Sequence, residues 1–151
     1  MKKIPATVFF FVVLFLVAAC NKDEAATKGF DFSNSLPPYV ELTSTKAKTV
    51  KQGESVDIAF QMRTGLQQKV TVYYDVTGGG LNLTNQTVTF DKDKTAATAT
   101  VAIPNNVITP PATSATATLK VTKAVKEDGT QLTLGSKNTP ATQMLTLNIV
   151  P

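Results

Sequence analysis

Histidine and tryptophan are missing from this 151-residue sequence, and cysteine occurs once. Without histidine or a second thiol there is no Ser-His-Asp or Cys-His nucleophile system, no CxxC redox pair and no usual zinc site. Most enzyme classes go with them, so the expectation is a non-enzymatic protein with no cofactor and no metal. Charge is scarce too, at 17% of residues against about 25% in an ordinary globular chain. Disordered chains pair low hydrophobicity with high net charge, whereas this one is 42% hydrophobic, which calls for a packed core. The length suits one domain. Threonine fills the gap left by charge, with 24 copies, and a β-branched hydroxyl side chain fits the solvent face of a strand better than a helix interior. An all-β protein is expected.

The longest apolar run, Val8 to Ala19, has 12 residues, well short of the roughly 20 that span a bilayer as a helix. Lys2 and Lys3 precede it, so residues 1–19 read as a signal peptide. The run ends Val17-Ala18-Ala19-Cys20, which resembles the lipobox of bacterial lipoproteins. That resemblance implies acylation of the Cys20 thiol, cleavage before it and a membrane anchored through the N-terminal lipid. Each buried methylene contributes about 0.8 kcal/mol, so two or three acyl chains hold firmly where one holds weakly. Asn21-Lys22-Asp23-Glu24 follow. With no aspartate directly after the cysteine, the stretch is unlike the inner-membrane retention signal of some Gram-negative bacteria. A lysine followed by two acids is similar to the signal that exports lipoproteins to the outer face. The resemblance implies an outer-membrane protein displayed on the cell surface, with a periplasm-facing position as the alternative. A merely solvated start to a linker is the bland alternative for these four residues.

After loss of residues 1–19 the chain carries 13 basic and 11 acidic residues, a net charge of +2 over 132 residues. Lys46, Lys48 and Lys51 lie close in sequence, as do Lys120, Lys123 and Lys126, but no aromatic-interleaved basic stripe exists, so no nucleic-acid partner is expected. Residues 20–38 are small and polar and end in Pro37-Pro38, the composition of a flexible tether. Phe30 and Phe32 interrupt it, to dock on the domain or to dip into the membrane interface.

From Tyr39 onward the apolar period is two, the signature of strands with one buried face. Val56, Ile58, Phe60 and Met62 share a face; so do Val70, Val72, Tyr74 and Val76. Val40 with Leu42, Val88 with Phe90, Ala97 to Ile103, Ala117 to Val121 and Leu145 to Ile149 complete about seven strands. Residues 39–151 are therefore expected to form an immunoglobulin-like antiparallel β-sandwich. The phase would put Lys123 inside, so its strand should end or bulge near Thr122. Gly53, Gly65, Gly78-Gly79-Gly80 and Asp128-Gly129 mark the reversals.

Residues 50–150 resemble a Calx-beta domain. The likeness rests on Val50-Lys51-Gln52-Gly53-Glu54-Ser55-Val56 as an opening turn, on Gln86 to Phe90 with Thr98 to Ile103 as a central pair, and on Leu132-Thr133-Leu134-Gly135 as a late hairpin. Calcium-binding members of that family carry an aspartate pair after the central strand and glutamates before the next. Here the positions read Asn105-Asn106 and Val107 to Pro111. Amide carbonyls without carboxylates leave the charge of calcium uncompensated, so the resemblance implies the fold without the ion. Asp91 and Asp93 alternate with Lys92 and Lys94, as in a solvated turn.

A carboxylate-based hydrolase is the least favoured reading: Asp57 and Asp75, on the outward faces of neighbouring strands in sequence, are its only candidate pair. Tyr73 is the one outward strand aromatic, too little for a sugar platform. The sequence thus points to a binding or assembly module with an unidentified protein or glycan partner. An accessory component of a glycan-uptake or adhesin complex, offering a free sheet edge, is the alternative.

Overall fold

The computed structural model describes residues 37–136 and 143–151. Cys20, Asn21, Lys22, Asp23, Glu24, Phe30 and Phe32 lie outside the described residues. Nine strands and no helix occur among the described residues: β1 (Tyr39–Leu42), β2 (Lys48–Lys51), β3 (Ser55–Met62), β4 (Val70–Gly78), β5 (Leu81–Phe90), β6 (Ala96–Ala102), β7 (Ala115–Lys126), β8 (Gln131–Leu134) and β9 (Met144–Val150). One sheet is β1-β3-β6 and the other β2-β9-β7-β4-β5, with β8 pairing in parallel with β1 and antiparallel with β7.

The expected alternation is what buries the core. Ile58 and Phe60 of β3, Val70, Val72 and Val76 of β4, and Leu145, Leu147 and Ile149 of β9 are almost wholly removed from solvent. Phe60 meets Tyr74 across the two sheets, ring centroids 5.7 Å apart and tilted by 40°. Burying each large apolar side chain contributes about 1.5–3 kcal/mol. The count of about seven strands was two short. The additions, β2 and β8, are four residues long and bury only Val50 and Leu134 respectively. β2 has one inward residue and β8 two, Leu132 packed against the core and Leu134 within it, too few for a period of two to stand out.

β7 bulges at the expected place. Lys123 pairs with Tyr73 and Val121 with Tyr74, which leaves Thr122 as the extra residue. Its hydroxyl donates to the Tyr73 carbonyl at 3.1 Å. The bulge turns Lys123 outward and returns Ala124 to the core. It also lets one edge of β7 serve two neighbours in succession, β9 and then β8. A second bulge lies in β5, where Thr84 and Asn85 stand opposite Asp75. Asn85 takes a positive φ of 52° and its N–H donates to Asp75 Oδ1 at 2.8 Å. Between β4 and β5, Gly79 and Gly80 both have positive φ, as a two-residue primed turn requires. A Cβ on Gly79 would come within 2.9 Å of the Thr116 carbonyl oxygen.

The two ends of the described chain sit at opposite poles. The Tyr39 carbonyl accepts from Arg63, just beyond the end of β3, whereas the Val150 carbonyl accepts from Gln52, just before β3 begins. β2 runs parallel to β9, Lys48 to Lys51 beside Leu147 to Val150.

Candidate functional site

The pole holding Asn105 and Asn106 is built around a tight turn. Glu54 N–H donates to the Lys51 carbonyl, and Gly53, at φ 84°, donates to Ile103. The Asn105 carboxamide packs where a side chain at position 53 would stand, so glycine is required there. Gln52 Oε1 accepts the Ile108 N–H at 3.3 Å and holds the following loop. Among the described residues no three Asp, Glu, Cys or His side chains are grouped as metal ligands.

The other acidic candidates are spoken for. Asp57 and Asp75, neighbours in the sequence pattern, belong to strands of different sheets, and each lies on the outer face of its own. The core separates them. Asp57 Oδ1 accepts the Thr100 hydroxyl at 2.7 Å, while Asp75 holds the β5 bulge. Asp93 accepts from Gln67 at 2.7 Å, and Asp91 faces Lys69 at 3.5 Å. Asp128 closes the β7–β8 turn. The Thr130 side chain, its N–H, Gln68 and Lys126 together hold the carboxyl far below the usual carboxylate range. On the outer face, the Lys123 ammonium lies 4.3 Å from the centre of the Tyr73 ring, a cation–π contact of the common surface kind.

The lateral sides of the sandwich differ more than its poles. On one side, hydrogen bonding is continuous from β3 through β1 and β8 into β7. Where β1 ends, β2 continues along the other sheet, and the Lys48 ammonium donates across to the Asp57 carbonyl at 2.6 Å. On the opposite side, among the described residues, β5 pairs only with β4 and β6 only with β3. Neither strand contains a charged residue or a proline, over ten and seven residues respectively. Native sheets usually protect such edges with lysine, proline or very short strands.

Between β5 and β6 lies a slit of about 240 Å³ lined by Tyr74, Leu83, Gln86, Thr100, Val101 and Ala102. The β5 bulge shifts the inward phase from Leu81 and Leu83 to Gln86, Val88 and Phe90, which brings an amide to the slit. Its nitrogen donates to the nearby Thr84 carbonyl at 3.1 Å. Tyr74 is only 4% exposed, and burial pushes its phenol up from the usual value. No hydrogen bond to its hydroxyl occurs among the described residues, and since no side-chain oxygen there is both buried and unpartnered, the hydroxyl reaches the opening. The sequence reading placed Tyr74 in the core set without seeing this opening. The signal was there in the switch from odd to even apolar positions between Leu83 and Val88.

No protein-family profile matches the chain, nor does any curated protein. Solved structures do. The chain is similar to the CBD12 structure of CALX1.2, with a TM-score of 0.54 and 10% identity over 74% of this chain and 43% of that one. It is similar also to the apo-form CBD1 domain of Calx, with a TM-score of 0.55 and 8% identity over 76% of this chain and 96% of that one. The chain therefore spans less than half of the first and nearly all of the second. At such identity the likeness is one of fold. The protein is an all-β sandwich whose fold is similar to that of these Calx domains, and the resemblance read from Val50 onward holds at the level of fold alone.

Proposed function

We propose that this chain is a lipid-anchored, non-enzymatic binding module of the bacterial outer membrane, displayed on the cell surface. The observation that carries the reading is the ordered series Lys2-Lys3, the apolar run and Val17-Ala18-Ala19-Cys20, which gives the lone cysteine a chemical use. The wide separation of Asp57 and Asp75 speaks against a carboxylate hydrolase, whose two acids act within about 5–10 Å. The uncharged, unpaired β5 and β6 edges favour assembly with another protein, as an accessory component of an adhesin or glycan-uptake complex would require.

Metabolic labelling with radioactive fatty acid tests the anchor. Label should enter the parent and not Cys20→Ser, and label in the serine variant would overturn the assignment. Surface display is tested by replacing Lys22, Asp23 and Glu24 together with alanine. The variant should stay in the outer membrane yet resist protease added to whole cells. Equal sensitivity of parent and variant would reject the address, and resistance of both would place the protein facing the periplasm.

A further inference from the structure

The slit between the sheets has walls on two sides and a free backbone edge along its rim. Which β6 groups are free follows from the ladder. Met62 N–H donates to the Thr95 carbonyl and Ile103 N–H to the Glu54 carbonyl, so the odd-numbered residues of this stretch bond to β3. In an antiparallel ladder the intervening residues turn their N–H and C=O the other way. Ala96, Thr98, Thr100 and Ala102 therefore present backbone donors and acceptors at regular spacing to the open side, unpaired among the described residues. The β5 edge across the slit is interrupted at Asn85, where the bulge breaks the regular spacing. β6 is the better template.

We propose that the β6 edge is a strand-acceptor site for an extended, uncharged segment of a separate protein, which pairs with β6 and places one apolar side chain in the slit beneath Tyr74. The inference rests on the binding-module reading and names its partner's chemistry. Three observations fix that chemistry. Seventeen residues of the two facing edges carry no charge, so nothing there recognises an ion. The slit is walled largely by Leu83, Val101 and Ala102, and its volume of about 240 Å³ exceeds one large aliphatic side chain. The Tyr74 ring is nearly buried while its hydroxyl, without a partner among the described residues, reaches the slit and offers a hydrogen bond to a backbone or amide group entering from that side. A second copy of this chain does not meet these terms. Its β6 already turns Ala99 and Val101 into its own core, so edge-to-edge pairing would leave the slit empty. A lone extended segment has alternate side chains to spare.

The test uses the full chain in detergent micelles and a fluorescent peptide of about nine residues alternating threonine with leucine, long enough at about 3.3 Å per residue to run the length of β6. Saturable binding is expected, with slowed amide exchange at Thr98 and Thr100. Thr98→Pro removes one outward N–H while leaving the β3 ladder intact, and should weaken binding by at least about tenfold, which is about 1.4 kcal/mol. Tyr74→Phe should weaken it less. No saturation up to about 1 mM peptide, or equal binding by Thr98→Pro with unchanged exchange at Thr98 and Thr100, overturns the proposal. Dimerisation of the parent that Thr98→Pro abolishes also overturns it, by giving the edge to a second copy. The fatty-acid label on Cys20 reads the anchor separately, so failure of the peptide and failure of the anchor are distinguishable.

Discussion

The two flanks of the sandwich solve the same problem in opposite ways. Every sheet has edges, and an edge is a row of backbone groups waiting for a partner. On the β1–β2 flank the chain disposes of them internally: β1 stays with one sheet, β2 crosses to the other, β8 ties both together, and Lys48 covers the Asp57 carbonyl. On the β5–β6 flank nothing comparable occurs among the described residues. The strands are longer, carry no lysine and leave an opening onto the Tyr74 side chain. Because both flanks enclose the same core, the difference cannot come from a general poverty of charge. Lysine occurs in β2 and β7 and in the turn between β5 and β6, but in neither of those two edge strands.

The largest expected effect comes from cutting into the closed flank. Ile149 is fully buried on β9, opposite Val50 of β2. Ile149→Ala should lower unfolding free energy in urea by about 3 kcal/mol, whereas Leu83→Ala, half-exposed at the open slit, should cost about 1 kcal/mol. Equal losses would erase the distinction between the flanks. Opening the guarded edge is subtler. Lys48→Ala should change stability by less than about 1 kcal/mol, yet increase concentration-dependent self-association in sedimentation, because it uncovers an edge carbonyl. An unaltered sedimentation profile would show that the lysine guards nothing.

The smallest effect is a titration. The folded-state phenol of Tyr74 is raised by burial, so its contribution to stability is complete below the unfolded value of about 10 and is lost as pH rises through the folded one. Phenolate absorbance of the parent should include a step above the usual tyrosine range, and Tyr74→Phe should remove that step. The same variant should be as stable as the parent or slightly more so, since it deletes a hydroxyl with no partner among the described residues. A clear loss of stability would reveal a bond to that hydroxyl.

Much of this architecture was legible in the residues. The inward faces of β3, β4, β7 and β9 follow directly from period two, and the Thr122 bulge follows from the conflict between that period and a buried lysine. β2, with a single inward residue, left no such trace, and β8 showed itself only as the late hairpin of the Calx-beta likeness. Sheet membership was also hidden. Asp57 and Asp75 sit on consecutive long strands, and only the crossing from one sheet to the other puts them on opposite outer faces. The slit escaped for a related reason: it depends on which edges go unpaired, a property of the whole topology that no local pattern carries.

The parallel run of β2 beside β9 has a mechanical meaning. Tyr39 and Val150 lie at opposite poles, so tension applied between them draws β2 one way and β9 the other along their common axis. The bonds between them are then loaded side by side and share the force, instead of tearing in turn like a zip. A hairpin such as β4–β5, pulled at its open end, has no such protection. The seam that holds the closed flank together is thus also the fastening that would meet a pull along the length of the domain.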